Sequence, residues 1–200
     1  MTQPFNLLGV HSVGVHGESL KPIKIRQFQR QDLECAADLL SASFYPQSGW
    51  LSWFTPVMRL GIYQDLLMRM QTRQVHGLCW VAVLNEAVQE SSASVVGIVE
   101  VAVRPLSAWP TPKGAVPYVS NLAVAPAYRR QGIAFQLLMH CEQSVKDWGF
   151  DELYLYAMAD NRAAQRLYTK IGYRVQSQPL PWFLNLTHPQ QVLWRKRLLV

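Results

Sequence analysis

Two hundred residues, half of them apolar, are enough for one domain with an ample core. Nineteen basic against thirteen acidic side chains leave a formal charge of +6, which favours anionic partners, but no lysine run or aromatic-interleaved basic stripe points to nucleic acid. No apolar run has the length of a membrane span and no basic-then-apolar start marks a secretory leader, so the expectation is a soluble, cytoplasmic protein.

Met1 to Pro22 has no clear period and reads as a flexible arm ahead of a domain from Ile23 to Val200. Ile23 to Phe28 suits a first strand at a sheet edge. Asp32 is expected to cap a helix whose buried face is Leu33, Ala36, Leu39, Leu40 and Phe44. A loop rich in aromatics follows (Phe44, Tyr45, Trp50, Trp53, Phe54), open to two readings: core filling or the lining of a substrate groove. Thr55-Pro56 then reads as an N-cap with a first-turn proline, starting a helix to about Arg73.

Leu78 to Leu84 and Val95 to Val103 read as a buried hairpin across the polar loop Asn85 to Ser94. Arg104 to Pro117, with four prolines and Trp109, is expected to be a long irregular connection. The three cysteines, Cys35, Cys79 and Cys141, sit in apolar patterns and read as buried free thiols of a reducing compartment. No metal-ligand spacing links them to the histidines, and no metal is expected.

The stretch from Tyr118 to Phe150 holds the densest information. Val119, Leu122 and Val124 form a strand closed by Pro126, and Arg129, Arg130, Gln131 and Gly132 form a loop. Ala134, Leu137, Leu138, Cys141, Val145 and Trp148 then repeat at the spacing of one helical face, and Gly149 ends the helix. His140 falls on the polar side and is expected at the surface. A helix N-terminus carries unpaired N–H groups and partial positive charge; with Gly132 and the arginines, a diphosphate is its natural guest.

Beyond it lie a strand from Glu152 to Ala157 and a helix headed by Asn161 with Ala164, Leu167, Tyr168 and Ile171 inward. Gly172 stops that helix, and Tyr173 to Gln176 is a short strand. Gln178 to Gln190, with three prolines, Trp182 and Phe183, is expected to be a lid or hairpin loop, and Val192 to Leu198 closes the sheet.

Arg129-Arg130-Gln131-Gly132-Ile133-Ala134 fits the Q/R-x-x-G-x-G/A signature of the GNAT superfamily of acetyl-CoA-dependent N-acetyltransferases, and NLAVAPAYR before it resembles the family's preceding strand and turn. A second block, DELYLYAMADNRAAQRLYTKIGYRV, resembles the family's next strand, helix and closing strand. A weaker likeness to plastid-type protein acetyltransferases lies in the aromatic segment. The resemblance implies an α/β (α+β) fold of one domain: a mixed, mostly antiparallel sheet of about seven strands flanked by about four helices and splayed at the cofactor strand.

It also implies acetyl-CoA as co-substrate. Backbone groups at Leu122, Ala123 and Val124 would pair with its pantetheine arm, one N–H facing the thioester oxygen, and Arg129, Arg130, Gln131, Gly132, Ile133 and Ala134 would hold the diphosphate. Asn161 would bond the pantetheine region, and Tyr168 would bring a phenol to the sulfur and protonate the departing thiolate.

Glu100 is the single charge in a long apolar strand, and a buried carboxylate needs a partner or a task. It is a candidate general base; it could equally face solvent or an arginine at a sheet edge. No cysteine is placed to form an acetyl-enzyme, so the expected reaction is direct attack in a ternary complex. Protein amines, α-amino or lysine, are the expected acceptors. A small amine (polyamine or arylalkylamine) and a non-catalytic acetyl-CoA-binding regulatory module are the alternatives; few carboxylates (Asp32, Glu34, Asp38, Asp65) in the first helices argue against polyamines. Strands at the chain's end could support a homodimer.

Overall fold

The computed structural model describes residues 22–44, 55–72, 75–84, 94–105, 114–176 and 191–198. Period-two apolar runs become strands and three-four spaced runs become helices. In chain order these are β1 (Ile23–Gln27), α1 (Leu33–Phe44), α2 (Thr55–Gln71), β2 (Gly77–Leu84), β3 (Val95–Pro105), β4 (Ala115–Val124), α3 (Ile133–Asp147), β5 (Glu152–Met158), α4 (Arg162–Lys170), β6 (Arg174–Val175) and β7 (Gln191–Arg197).

Among the described residues the seven strands form one sheet in the order β1-β2-β3-β4-β5-β7-β6. All neighbours are antiparallel except β4 and β5. A parallel pair needs a crossover, and α3 supplies it. The expected mixed, splayed sheet with four flanking helices is the observed one, and β1 lies at its edge.

Alternation along the strands sends side chains to two cores. On one face α3 (Ile133, Leu137, Leu138, Cys141, Val145) and α4 (Tyr168) pack over Val99, Val101, Leu153 and Leu155. On the other, α1 (Leu33, Ala36, Leu39, Leu40) and Leu66 of α2 pack over Val81, Val83, Ile98 and Ala123. Gly97 on β3 lets the start of α3 close in. A Cβ there would lie 3.0 Å from Ile133 Cγ2 and 3.1 Å from Leu137 Cδ1.

Four expectations are corrected in detail. Asp32 is fully buried, and its carboxylate turns back to accept from the Gln29 N–H (2.8 Å) and from Arg26 (2.6 and 2.8 Å) instead of capping α1. The stretch 104–117 is partly strand: Arg104↔Val116 and Pro105↔Ala115 extend the β3–β4 hairpin, because prolines are tolerated where a strand end needs no ladder donor. Of the cysteines Cys141 is buried, whereas Cys35 and Cys79 are only partly so. His140 is half-buried, its ring 4.9 Å from that of Trp80. All of the expected arm (1–22) but Pro22, most of the aromatic loop (45–54) and the 178–190 segment lie outside the described residues.

Candidate active site

β4 runs for ten residues yet meets β5 at only two positions, Tyr118↔Tyr154 and Val119↔Leu155. Beyond Val119 the two strands part, and Ser120 to Val124 have no ladder partner on that side. The opposite edge is irregular at the same place. Between Ile98↔Ala123 and Glu100↔Ser120, two steps along β3 are matched by three along β4. This is a β-bulge, and Asn121 occupies it at φ 54°, a left-handed conformation that asparagine tolerates better than most residues.

A bulge turns backbone groups out of the ladder, and the wedge beside it can receive an extended partner as an added strand. Leu122, Ala123 and Val124 lie on β4 beyond this parting. One carbonyl is already engaged: Arg129 Nε donates to Val124 O at 2.9 Å, tying the loop to the strand end.

From β4 the chain makes a short turn at Pro126–Tyr128 and reaches α3 through Arg130 (φ 67°) and Gly132 (φ 81°). A Cβ on Gly132 would meet nothing within 4 Å, so the glycine is required by its backbone angle and not by crowding. Arg129, Arg130 and Gln131 are exposed, while the Ile133 side chain is buried in the core and can offer a ligand only its backbone. The first-turn N–H groups of this fifteen-residue helix have no intrahelical partners, and the donor set suits a diphosphate.

Asn161 is the N-cap of α4: its Oδ1 accepts from the Ala164 N–H at 3.0 Å. The cap uses the oxygen, and the Nδ2 donors are the part of this exposed side chain suited to a ligand. Two turns on, Tyr168 is buried against Tyr173 and Trp194, with ring centroids 5.9 Å away in each case. Burial pushes its phenol up to about 12, and nearby Tyr118 adds a smaller push. The two residues thus lie on one helix, but in different settings.

Tyr118 packs against Tyr156 at 5.9 Å, and the two sit beside the divergence, on the face away from α3. Burial raises the pKa of both phenols.

Glu100 is buried, and its contacts converge on one atom. Oε2 accepts from Arg69 (2.8 Å), Asn121 Nδ2 (3.0 Å) and Ser120 Oγ (3.3 Å), with an Arg104 nitrogen at 3.9 Å. Arg69, from α2, also pairs with Asp65 at 2.7 Å. Of the three readings open in the sequence, burial excludes the solvent-facing one, and an arginine partner is present, although in the sheet interior and not at its edge. Glu100 and both arginines line a cavity of about 800 Å³ with Phe28, Leu66 and Cys79. Burial raises the Cys79 and Cys141 thiols, so neither is a ready nucleophile.

Sequence reasoning missed Asn121, Ser120, Arg69 and Gly97. A lone asparagine among β-formers and a glycine inside a strand were the available signals. Nothing in the sequence marked Arg69.

The Acetyltransferase (GNAT) family model matches residues 39–173. The chain is 38% identical over 112 residues to GCN5-related N-acetyltransferase 10, chloroplastic, of Arabidopsis thaliana, covering 54% of this chain and 43% of that one. It is 33% identical over 70 residues to N-alpha-acetyltransferase 30 of Schizosaccharomyces pombe, covering 35% and 47%. The matches thus span about half the length of these curated relatives or less. A crystal structure of the NatC complex bound to Gag peptide and CoA shares the fold, with TM-score 0.61, 18% identity, and coverage of 88% of this chain and 99% of that one. The family match runs through the bulge, the parting strands, the Gly132 loop and both Asn161 and Tyr168, and over more than half its length the chain belongs to the acetyltransferase (GNAT) family.

Proposed function

We propose that the protein moves an acetyl group from acetyl-CoA to an amine by direct attack in a ternary complex, with protein α-amino or lysine ε-amino groups as acceptors. The parting of β4 from β5 after Val119 carries this reading, because it opens a backbone edge directly before the helix N-terminus suited to a diphosphate. Acetyl-CoA supplies the activated acyl thioester when bound. The first turn of α3 and the exposed Arg130 and Gln131 hold its phosphates. Leu122 and Ala123 pair along the opened edge, while Arg129 fixes the Val124 carbonyl.

A β4 N–H turned out by the bulge polarises the reacting carbonyl, a donor set in place before charge develops. Tyr168 keeps its proton throughout the neutral range. A phenol at about 12 facing a thiolate of the cysteine kind, reference pKa about 8.5, favours hydrogen-bond donation over complete proton transfer. Its contribution is therefore stabilisation of the leaving sulfur: the neutral amine forms the C–N bond as the C–S bond breaks, and the proton shed by the nitrogen reaches the thiolate through solvent. The raised thiols of Cys79 and Cys141 support direct transfer over an acetyl-cysteine.

The likeness to N-alpha-acetyltransferase 30 supports a protein amine as acceptor. A reducing, cytoplasmic setting belongs to the same proposal, supported by the three free cysteines. The test is transfer from isotopically labelled acetyl-CoA to free-N-terminus peptides, N-blocked lysine peptides, polyamines and arylalkylamines, with products weighed by mass spectrometry. Label on peptides, lost when the reacting amine is blocked, is the expected result. Label on small amines alone, or none while acetyl-CoA still binds, would overturn the acceptor or the activity respectively.

A further inference from the structure

We propose that Glu100 is a positioning residue that holds the β4 bulge in shape for the thioester carbonyl, and that it does not abstract the acceptor's proton. The inference rests on the reading that a β4 N–H polarises that carbonyl.

Three observations meet at this point. Glu100 stands opposite Ser120, the last paired residue before the ladder slips, and the extra residue, Asn121, is held at φ 54°. The Asn121 side chain donates to Glu100 Oε2 at 3.0 Å and the Ser120 hydroxyl to the same atom at 3.3 Å, so one carboxylate oxygen grips both residues that begin the bulge. Arg69 holds that oxygen from the opposite side at 2.8 Å and is itself braced by Asp65, which ties the grip to α2.

The three bonds commit Oε2 alone, but the guanidiniums of Arg69 and Arg104 beside the carboxylate repel an acceptor ammonium that would approach Oε1. The same three bonds suit a clamp. A left-handed asparagine in a strand needs surroundings that over-determine it, and Glu100 with Arg69 supplies them from a rigid strand and a helix. The direction of the N–H groups at and after the bulge then depends on Glu100 through Asn121.

The experiment is infrared spectroscopy of acetyl-CoA carrying ¹³C at the acetyl carbonyl, bound to the full chain without acceptor, beside pH profiles of kcat and kcat/KM with a free-N-terminus peptide. Wild type displaces the carbonyl stretch to lower wavenumber relative to free acetyl-CoA. Glu100→Ala and Asn121→Gly each lose most of that displacement and about 10²-fold in kcat, as expected for loss of an aimed donor, while acetyl-CoA still binds. Asn121→Gly keeps the backbone angle accessible and leaves the carboxylate in place, so it supplies a readout should Glu100→Ala fold poorly. Glu100→Gln, whose amide oxygen accepts the same bonds, keeps most of the displacement and the wild-type shape of the pH profile. A full displacement in Asn121→Gly, or a Glu100→Gln variant that loses the acidic limb of the profile with its carbonyl displacement intact, overturns the proposal and makes Glu100 the base. A wild-type complex with no displacement would instead overturn the underlying reading of β4.

Discussion

Tyr168 is kept protonated by its surroundings: burial raises its pKa to about 12 from a reference of about 10. The folded chain therefore binds this proton more tightly than the unfolded chain. The resulting stabilisation is complete below pH 10 and is lost as pH rises through 12. One pH unit inside that window is worth about 1.4 kcal/mol. Urea unfolding at pH 10 and 11 should show wild type losing about 1 kcal/mol more than Tyr168→Phe over that step. An equal loss in both proteins would place the phenol in solvent. Asn161 permits a sharper separation of roles. Asn161→Asp keeps the capping oxygen and removes the Nδ2 donors, so stability should hold while acetyl-CoA binds more weakly; Asn161→Ala should also lose about 1 kcal/mol of stability. Calorimetric titration and urea unfolding of the two variants check this. Gly132 and Asn161 were legible in the sequence because their constraints are local, a positive φ and a cap. Asn121 was not, because its bulge is set by a slip in the register of β4 on β3, a separate strand. Glu100 stood out as a charge among apolar residues, but its partner Arg69 is 31 positions away.

At the scale of elements, the site is made by two strands that pair briefly and then part. The apolar runs of β4 and β5 were readable. Where their pairing ends was not, since it depends on the register of β3 and on α3 packing over Gly97. That glycine gives a direct prediction. Gly97→Val would drive methyl groups into Ile133 and Leu137, overpacking worth about 1–3 kcal/mol. Ile133 begins α3, the helix proposed to receive the diphosphate, so the variant should lose acetyl-CoA affinity as well as urea stability. Stability lost with affinity unchanged would uncouple the start of α3 from the site. The hairpin of β3 and β4 shows the opposite limit of sequence reading: prolines that looked like breakers lie within paired strand ends, because a proline lacks only a donor that such a position need not supply.

At the scale of the molecule, net charge and the outward face of α4 point the same way. Arg162, Arg166 and Lys170 rise along that helix beside a cavity of about 590 Å³ that also includes Trp194. A basic surface attracts acidic ligands over about 10 Å at ordinary salt. Acceptor peptides with acidic side chains should therefore show kcat/KM falling with added salt more steeply than neutral ones; parallel salt curves would assign the charge no part in capture. The family was visible in the chain because its signature is written in contiguous residues, Arg129 to Ala134. The acceptor was not, because no contiguous motif in the sequence writes it. In the proposed reaction the wedge holds acetyl-CoA while Tyr168 serves the leaving sulfur. This is tested most directly by measuring kcat and the acetyl-CoA dissociation constant of Tyr168→Phe side by side. In the variant kcat should fall about 10–100-fold with the dissociation constant unchanged within about twofold. Turnover equal to wild type, or a loss confined to acetyl-CoA binding, would contradict it.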